Sequence, residues 1–160
     1  MTSKVPSCKF SILLLGVVIA TASLGFGQSK PHTPHAPLSQ QKVCAEEARK
    51  AFNKSFKAED NGITYDYTSH YDAQTNVCYV LVEGNGVSKN TSNPYVSYSL
   101  FDAIEGRTYG EYVWINSTQK KYWEVAPMIC DVKPRDSDKV LCHSDEEFDQ
   151  LIDKYFGIGR

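Results

Sequence analysis

Ile63-Thr64-Tyr65-Asp66-Tyr67-Thr68-Ser69-His70-Tyr71, followed after a short polar break by Val77-Cys78-Tyr79-Val80-Leu81-Val82, is the stretch from which the fold is read. In its first part Ile63, Tyr65, Tyr67 and Tyr71 alternate with Thr64, Asp66, Thr68 and His70. Successive side chains of an extended backbone point to opposite faces, so a period of two predicts a strand with one face buried. The second part is apolar on both faces and predicts the central strand of a sheet.

Working outward toward the C-terminus, Glu83-Gly84-Asn85-Gly86 is expected to break that strand, and Ser88 to Pro94 to form a polar loop. Tyr95 to Asp102 and Thr108 to Ile115 read as two further strands around Glu105-Gly106, where glycine accepts the positive φ of a tight turn. A fifth, short strand is expected over Lys120 to Val125, after a turn at Asn116-Ser117-Thr118-Gln119. Connections this short cannot hold parallel crossovers, so the expected sheet is an antiparallel meander of four to five strands.

Helices flank it. Cys44, Ala48, Ala51, Phe52 and Phe56 recur at spacings of three and four, which predicts an amphipathic helix from about Gln40 to Lys57 with Ser39 as its N-cap. At the other end Ser144 is a capping residue with Glu147 as its capping-box partner, and Asp145 and Glu146 favour the positive end of the helix dipole. Phe148, Leu151, Ile152, Tyr155 and Phe156 then form one apolar stripe, with Gly157 as the residue beyond the last turn. Helix, four to five strands and helix predict a two-layer α+β domain over residues 39–160. In element order alone this is similar to cystatin-like and nuclear-transport-factor-like domains, a likeness that carries no function.

The N-terminus sets the expected location. Lys4 and Lys9 precede an almost wholly apolar run from Phe10 to Ala22, and Gly25 and Gly27 supply small side chains at the spacing a signal peptidase needs. Residues 1–27 are therefore expected to be a signal peptide cleaved near Gly27, with export to the periplasm or exterior; an uncleaved N-terminal membrane anchor is the alternative. Lys30-Pro31-His32-Thr33-Pro34-His35-Ala36-Pro37 lies in a proline-rich tether, 28–38, that can hold neither a helix nor a central strand.

Of five cysteines, Cys8 would leave with the signal, and Cys44, Cys78, Cys130 and Cys142 remain. An even number in an oxidising compartment predicts two disulfides. The polar stretch between Cys130 and Cys142 reads as a loop that a bridge would close, which favours that pairing and leaves Cys44 with Cys78. The spacings contain no Cys-x-x-Cys pair, so no metal is expected there. Beyond the signal the chain has 15 basic and 19 acidic residues, a balance of −4, which argues against a nucleic-acid partner. No membrane association is expected after cleavage, and no cofactor.

Catalytic constellations are weak. His70 has Asp66 and Asp72 nearby in sequence, yet on a regular strand those positions lie roughly 13 Å and 7 Å away, too far for a direct hydrogen bond. Cys142 beside His143 would need a free thiol, which the expected disulfide removes. Aromatic residues stand out instead: ten tyrosines and two tryptophans concentrate in the strand region. They suit half-buried strands. They also suit recognition, because tyrosine offers contact area with few rotatable bonds. Tyr95, Tyr98, Tyr112, Trp114, Trp123 and His70 are the candidate binding residues, with the sheet face away from the helices and the loops Ser88 to Pro94 and Asp131 to Lys139 as candidate surfaces. The expected function is a non-catalytic binding module for a protein or an envelope component. A small secreted hydrolase using His70, or a structural envelope component, are the alternatives.

Overall fold

The structure is a computed structural model that describes residues 37–118, 120–134 and 138–156. The expected signal segment and residues 28–36 of the tether lie outside the described residues, as does Gly157. The chain is mixed α+β. Helix α1 (Leu38–Ser55) is followed by strands β1 (Glu59–Asp60), β2 (Ile63–Asp72), β3 (Val77–Val87), β4 (Pro94–Asp102) and β5 (Thr108–Ile115). A 3-10 turn (Tyr122–Glu124), β6 (Ile129–Val132), β7 (Val140–Leu141) and helix α2 (Asp145–Phe156) complete it. The seven strands form one antiparallel sheet in sequence order.

Local chemistry accounts for most of the boundaries. Asn61 and Gly62 both take positive φ, 51° and 83°, and turn β1 into β2. That conformation suits an Asn-Gly hairpin. Ser144 Oγ accepts the N–H of Glu147 at 3.2 Å, as its capping role requires, while the Glu147 carboxylate reaches one residue further back to the N–H of His143 at 2.8 Å. Helix α1 starts differently from expectation. Its N-cap is Pro37, whose carbonyl takes the N–H groups of Gln40 and Gln41, and Ser39 lies inside the first turn with no capping role.

Three other expectations are corrected. The glycines at 84 and 86 do not break the central strand, which runs on to Val87. A Cβ on Gly84 would come within 2.6 Å of the Tyr65 ring and of Ser97 Oγ, so this glycine serves close packing across three strands. Lys120 to Val125 is not a strand. Glu124 folds back to take the Lys121 N–H at 3.2 Å, and the Trp114 indole N–H donates to the Val125 carbonyl at 2.9 Å, so these backbone groups are used locally. β5 pairs instead with Ile129–Val132, beyond Pro127. With the short β1 and β7 the sheet has seven strands rather than four or five.

The layering is the third correction. β2 and β3 pair without a break from Ile63 with Gly86 to Asp72 with Val77, so alternate residues of β3 face opposite ways. Val80 and Val82 pack with Ala48 and Phe52 of α1, and Cys78 is bridged to Cys44 of that helix. Val77, Tyr79 and Leu81 pack with Phe148, Ile152 and Tyr155 of α2. The helices lie on opposite faces of the sheet, so the two-layer arrangement gives way to three layers while the element order holds. The central strand, apolar on both faces in sequence, has a helix on each.

Both disulfides form with the expected pairing: Cys44 with Cys78 and Cys130 with Cys142. Engaged in these bonds, the four sulfurs are not available as free metal ligands or nucleophiles. Among the described residues no helix is long and apolar enough to cross a membrane.

Candidate functional site

Among the described residues, two depressions of similar size exceed those that border the loop Ser88 to Pro94. The larger, about 490 Å³, runs between α1 and the turn from β4 to β5. Several of its polar groups are already engaged: Lys50 donates to Glu47 at 2.7 Å, and Asp102, only 3% exposed, accepts the N–H groups of Ile104 and Glu105. The second, about 470 Å³, opens between the segment 122–127 and the start of α2. Its lining holds Tyr112, Trp114, Tyr122 and Trp123 together with Glu124, Asp145 and Glu146. This aromatic cleft is the candidate site.

Strand alternation puts Tyr112 and Trp114 on the α2 face of β5, where they are buried and form the aromatic floor. The 3-10 turn then sets Tyr122 over them. Its ring centroid is 4.6 Å from that of Trp114, and its hydroxyl lies 3.2 Å from the Tyr112 hydroxyl. Next in the turn, Trp123 is 75% exposed, with Lys121 Nζ 5.3 Å from its ring centroid. Its indole is thus open to water at the cleft mouth and free to add contact area for a ligand.

The cleft is acidic at its edge. Burial, followed by hydrogen bonds to Tyr112 and Asp145, raises the Tyr122 hydroxyl well above the ordinary phenol range. Burial works in the same upward direction on the Asp145 carboxyl, but hydrogen bonds from Tyr122 and from backbone N–H groups at the start of α2 outweigh it and hold Asp145 below the usual carboxylate value. Asp145 is therefore charged near neutral pH. It also lies within hydrogen-bond contact of Glu146.

The six residues expected to bind are partly brought together. Tyr112, Trp114 and Trp123 meet in the cleft. Tyr98 lies beside it as packing, between Tyr112 and Phe148, with ring centroids at 5.4 and 5.8 Å. Tyr95 lies on the other face of the sheet, where its hydroxyl meets Tyr65. His70 is at the far side of the α2 face, 6.0 Å from the Phe156 ring. Among the described residues no hydrogen bond joins His70 to a carboxylate: Asp66 accepts the Tyr67 N–H, and Asp72 accepts from Gln74 and Thr75 in the turn before β3. Asp145 and Glu146 were legible only as dipole partners of α2, and Glu124 as part of a strand. The one available signal was the run Tyr122-Trp123-Glu124, too aromatic for an open loop. The expected binding face, uncovered by helices, does not exist as such, because α2 covers the aromatic side of the sheet. Of the two loops, Ser88 to Pro94 borders a separate depression with Asn116, and residues 135–137 of the other lie outside the described residues.

No protein family, curated protein or solved structure shows a significant match to this chain.

Proposed function

We propose that this chain is an exported, disulfide-stapled binding module whose non-catalytic site is the aromatic cleft between residues 122–127 and the start of α2. Export follows from the charge and hydropathy pattern of residues 1–27, and two disulfides suit an oxidising compartment. The observation that carries the binding reading is Trp123, held 75% exposed at the mouth of a cleft floored by buried Tyr112 and Trp114. Exposed aromatics beside a concave site with a few polar groups are the ordinary makings of a recognition surface. His143 and Ser144 also line the cleft, but His143 is held against Glu147 and Ser144 Oγ caps α2, and among the described residues no hydrogen bond joins the two, which favours binding over chemistry.

The test is an NMR fragment titration of the folded chain with cationic, neutral apolar and saccharide fragments. Binding at this site moves the Trp123 indole N–H and the amides of residues 122–126 and 143–146. Shifts confined to the groove beside α1, or no shift from any fragment, would sink the reading.

A further inference from the structure

We infer, resting on the cleft being a binding site, that its ligand is a cationic side chain, a lysine or arginine presented by an extended segment of a partner polypeptide. Glu124, Asp145 and Glu146 line the cleft, and no lysine or arginine does. Among the described residues the salt bridges join Lys50 with Glu47, Lys89 with Glu59, Lys139 with Asp131 and His143 with Glu147, so these three carboxylates lack a cationic partner. The start of α2 offsets part of this charge. A helix N-terminus is worth roughly half a positive charge, less than the carboxylate charge gathered at this edge, and the nearby cationic groups are already engaged, His143 with Glu147 and Lys121 on Trp123. Asp145 and Glu146 lie in hydrogen-bond contact, which gathers their carboxyl oxygens, acceptors for an incoming cation, at one edge of the cleft.

The aromatic walls fit the same ligand. A lysine or arginine has an apolar stem and a charged head, and such side chains lay the stem on apolar surface while the head stays at a polar edge. Here Tyr112 and Trp114 provide the floor and the three carboxylates the edge. Trp123 already attracts an ammonium within the chain, that of Lys121, and its exposure leaves ring surface for a second. An anionic ligand would meet repulsion from all three acids. A purely apolar one would strand them without compensation.

The probe is an acetylated, amidated pentapeptide of alternating glycine and lysine, compared with its norleucine counterpart, with free spermidine and with a chitin tetrasaccharide. Binding is read from tryptophan fluorescence and amide shifts of the full folded chain. The lysine peptide is expected to bind at residues 122–127 and 143–146 at least about tenfold more tightly than the norleucine peptide, and to weaken as salt rises from about 0.05 to 0.5 M. W123A should cost about two- to fivefold, the size of an exposed cation-aromatic contact. E146Q, at an exposed position, should weaken the lysine peptide and leave the norleucine peptide unchanged. Equal binding of the two peptides at the cleft, or binding of the saccharide alone, would leave the binding module standing and overturn the cationic ligand. Spermidine binding more tightly than the peptide would overturn the polypeptide source. A lysine peptide that shifts only residues elsewhere would overturn this inference, and the reading it rests on falls as well when neither the norleucine peptide nor the saccharide shifts the cleft.

Discussion

On the face of the sheet that carries α1, the buried core is small: Ala48 and Phe52 of the helix against Val80 and Val82 of β3, with Tyr65, Tyr67 and Phe56 closing the edges. On the opposite face α2 covers Leu81, Leu100 and Val132 and sets two of its own rings into aromatic groups on the sheet, Tyr155 against Tyr79 and Tyr109, and Phe148 against Tyr98 and Tyr112. The first face is held by close approach. Ala48 is fully buried, so the α1 backbone lies near the sheet, and the disulfide from Cys44 to Cys78 fixes it there. The second face is held by aromatic volume, and its bridge, Cys130 to Cys142, ties β6 to the residues just before α2. Each face opens into a depression, but on the α2 face it is floored by the buried rings of Tyr112 and Trp114, whereas the one beside α1 is lined largely by polar and small residues.

The strongest test of the contrast is to remove one ring from each face. Phe148 is fully buried, and Gly110 and Val132 lie against its ring. Phe148→Ala is expected to destabilise by about 4–5 kcal/mol, at the upper end for such truncations, because the rigid sheet beneath cannot collapse into the gap. Phe52→Ala should cost about 3 kcal/mol, since Phe56 stacks on it at 5.8 Å and can shift into part of the space. Urea denaturation of the two variants decides it. Equal losses would mean that the faces do not differ in packing.

The two disulfides give the next comparison. The bridge between Cys44 and Cys78 spans 34 residues and that between Cys130 and Cys142 spans 12. By loop entropy alone the first stabilises by about 4 kcal/mol and the second by about 3 kcal/mol. Replacing Cys44 and Cys78 together by alanine should therefore lower stability more than replacing Cys130 and Cys142. The second pair has a distinct expected effect: it holds the residues that lead into Ser144 and Asp145, so its loss should perturb the amides of 143–146 while leaving α1 unchanged. A reversed order in urea would show that native-state packing at the cleft outweighs chain entropy.

These faces also show what the sequence could and could not convey. Alternation over Ile63, Tyr65 and Tyr67 matches the burial of β2 because periodicity is a property of neighbouring residues, but it ends there: His70, Tyr71 and Asp72 are all half-buried, with His70 packed toward Phe156 of α2. The two-sided apolar character of Val77 to Val82 already implied cover on both faces, and reading it as a central strand under a single layer was the error. Lys120 to Val125 has strand composition, yet the carbonyl of Val125 goes to the Trp114 side chain, a long-range contact that local pattern does not reveal. Of the aromatic candidates, Tyr112, Trp114 and Trp123 line one cleft. Which of them meet depended on α2 docking over β5, so Tyr112, Trp114 and Trp123 could not be separated from Tyr95 and His70 before the layers were known.

The smallest expected effect at neutral pH is also the one that separates the faces by chemistry. Burial first, and then neighbouring charge at Asp149, pushes Tyr98 up to about 12; burial and the adjacent Tyr79 do the same to Tyr155, also up to about 12. Both belong to the α2 face. A phenol titrating near 10 in the unfolded chain and higher in the folded one contributes stability that is complete below about pH 10 and is lost as pH rises toward 12. Alkaline unfolding should thus begin on the α2 face, and Tyr98→Phe with Tyr155→Phe should raise the urea midpoint at about pH 11 relative to the parent. Tyr65 on the α1 face is raised as well, by burial and by Tyr95, but less far, so Tyr65→Phe should change that midpoint less. At pH 7 Tyr155→Phe removes a buried hydroxyl that has no hydrogen-bond partner among the described residues, so the variant should be at least as stable as the parent. If Tyr155→Phe instead destabilises at pH 7, the hydroxyl has a partner such as a bridging water, and the α2 face is held partly by polar contacts rather than by ring volume alone.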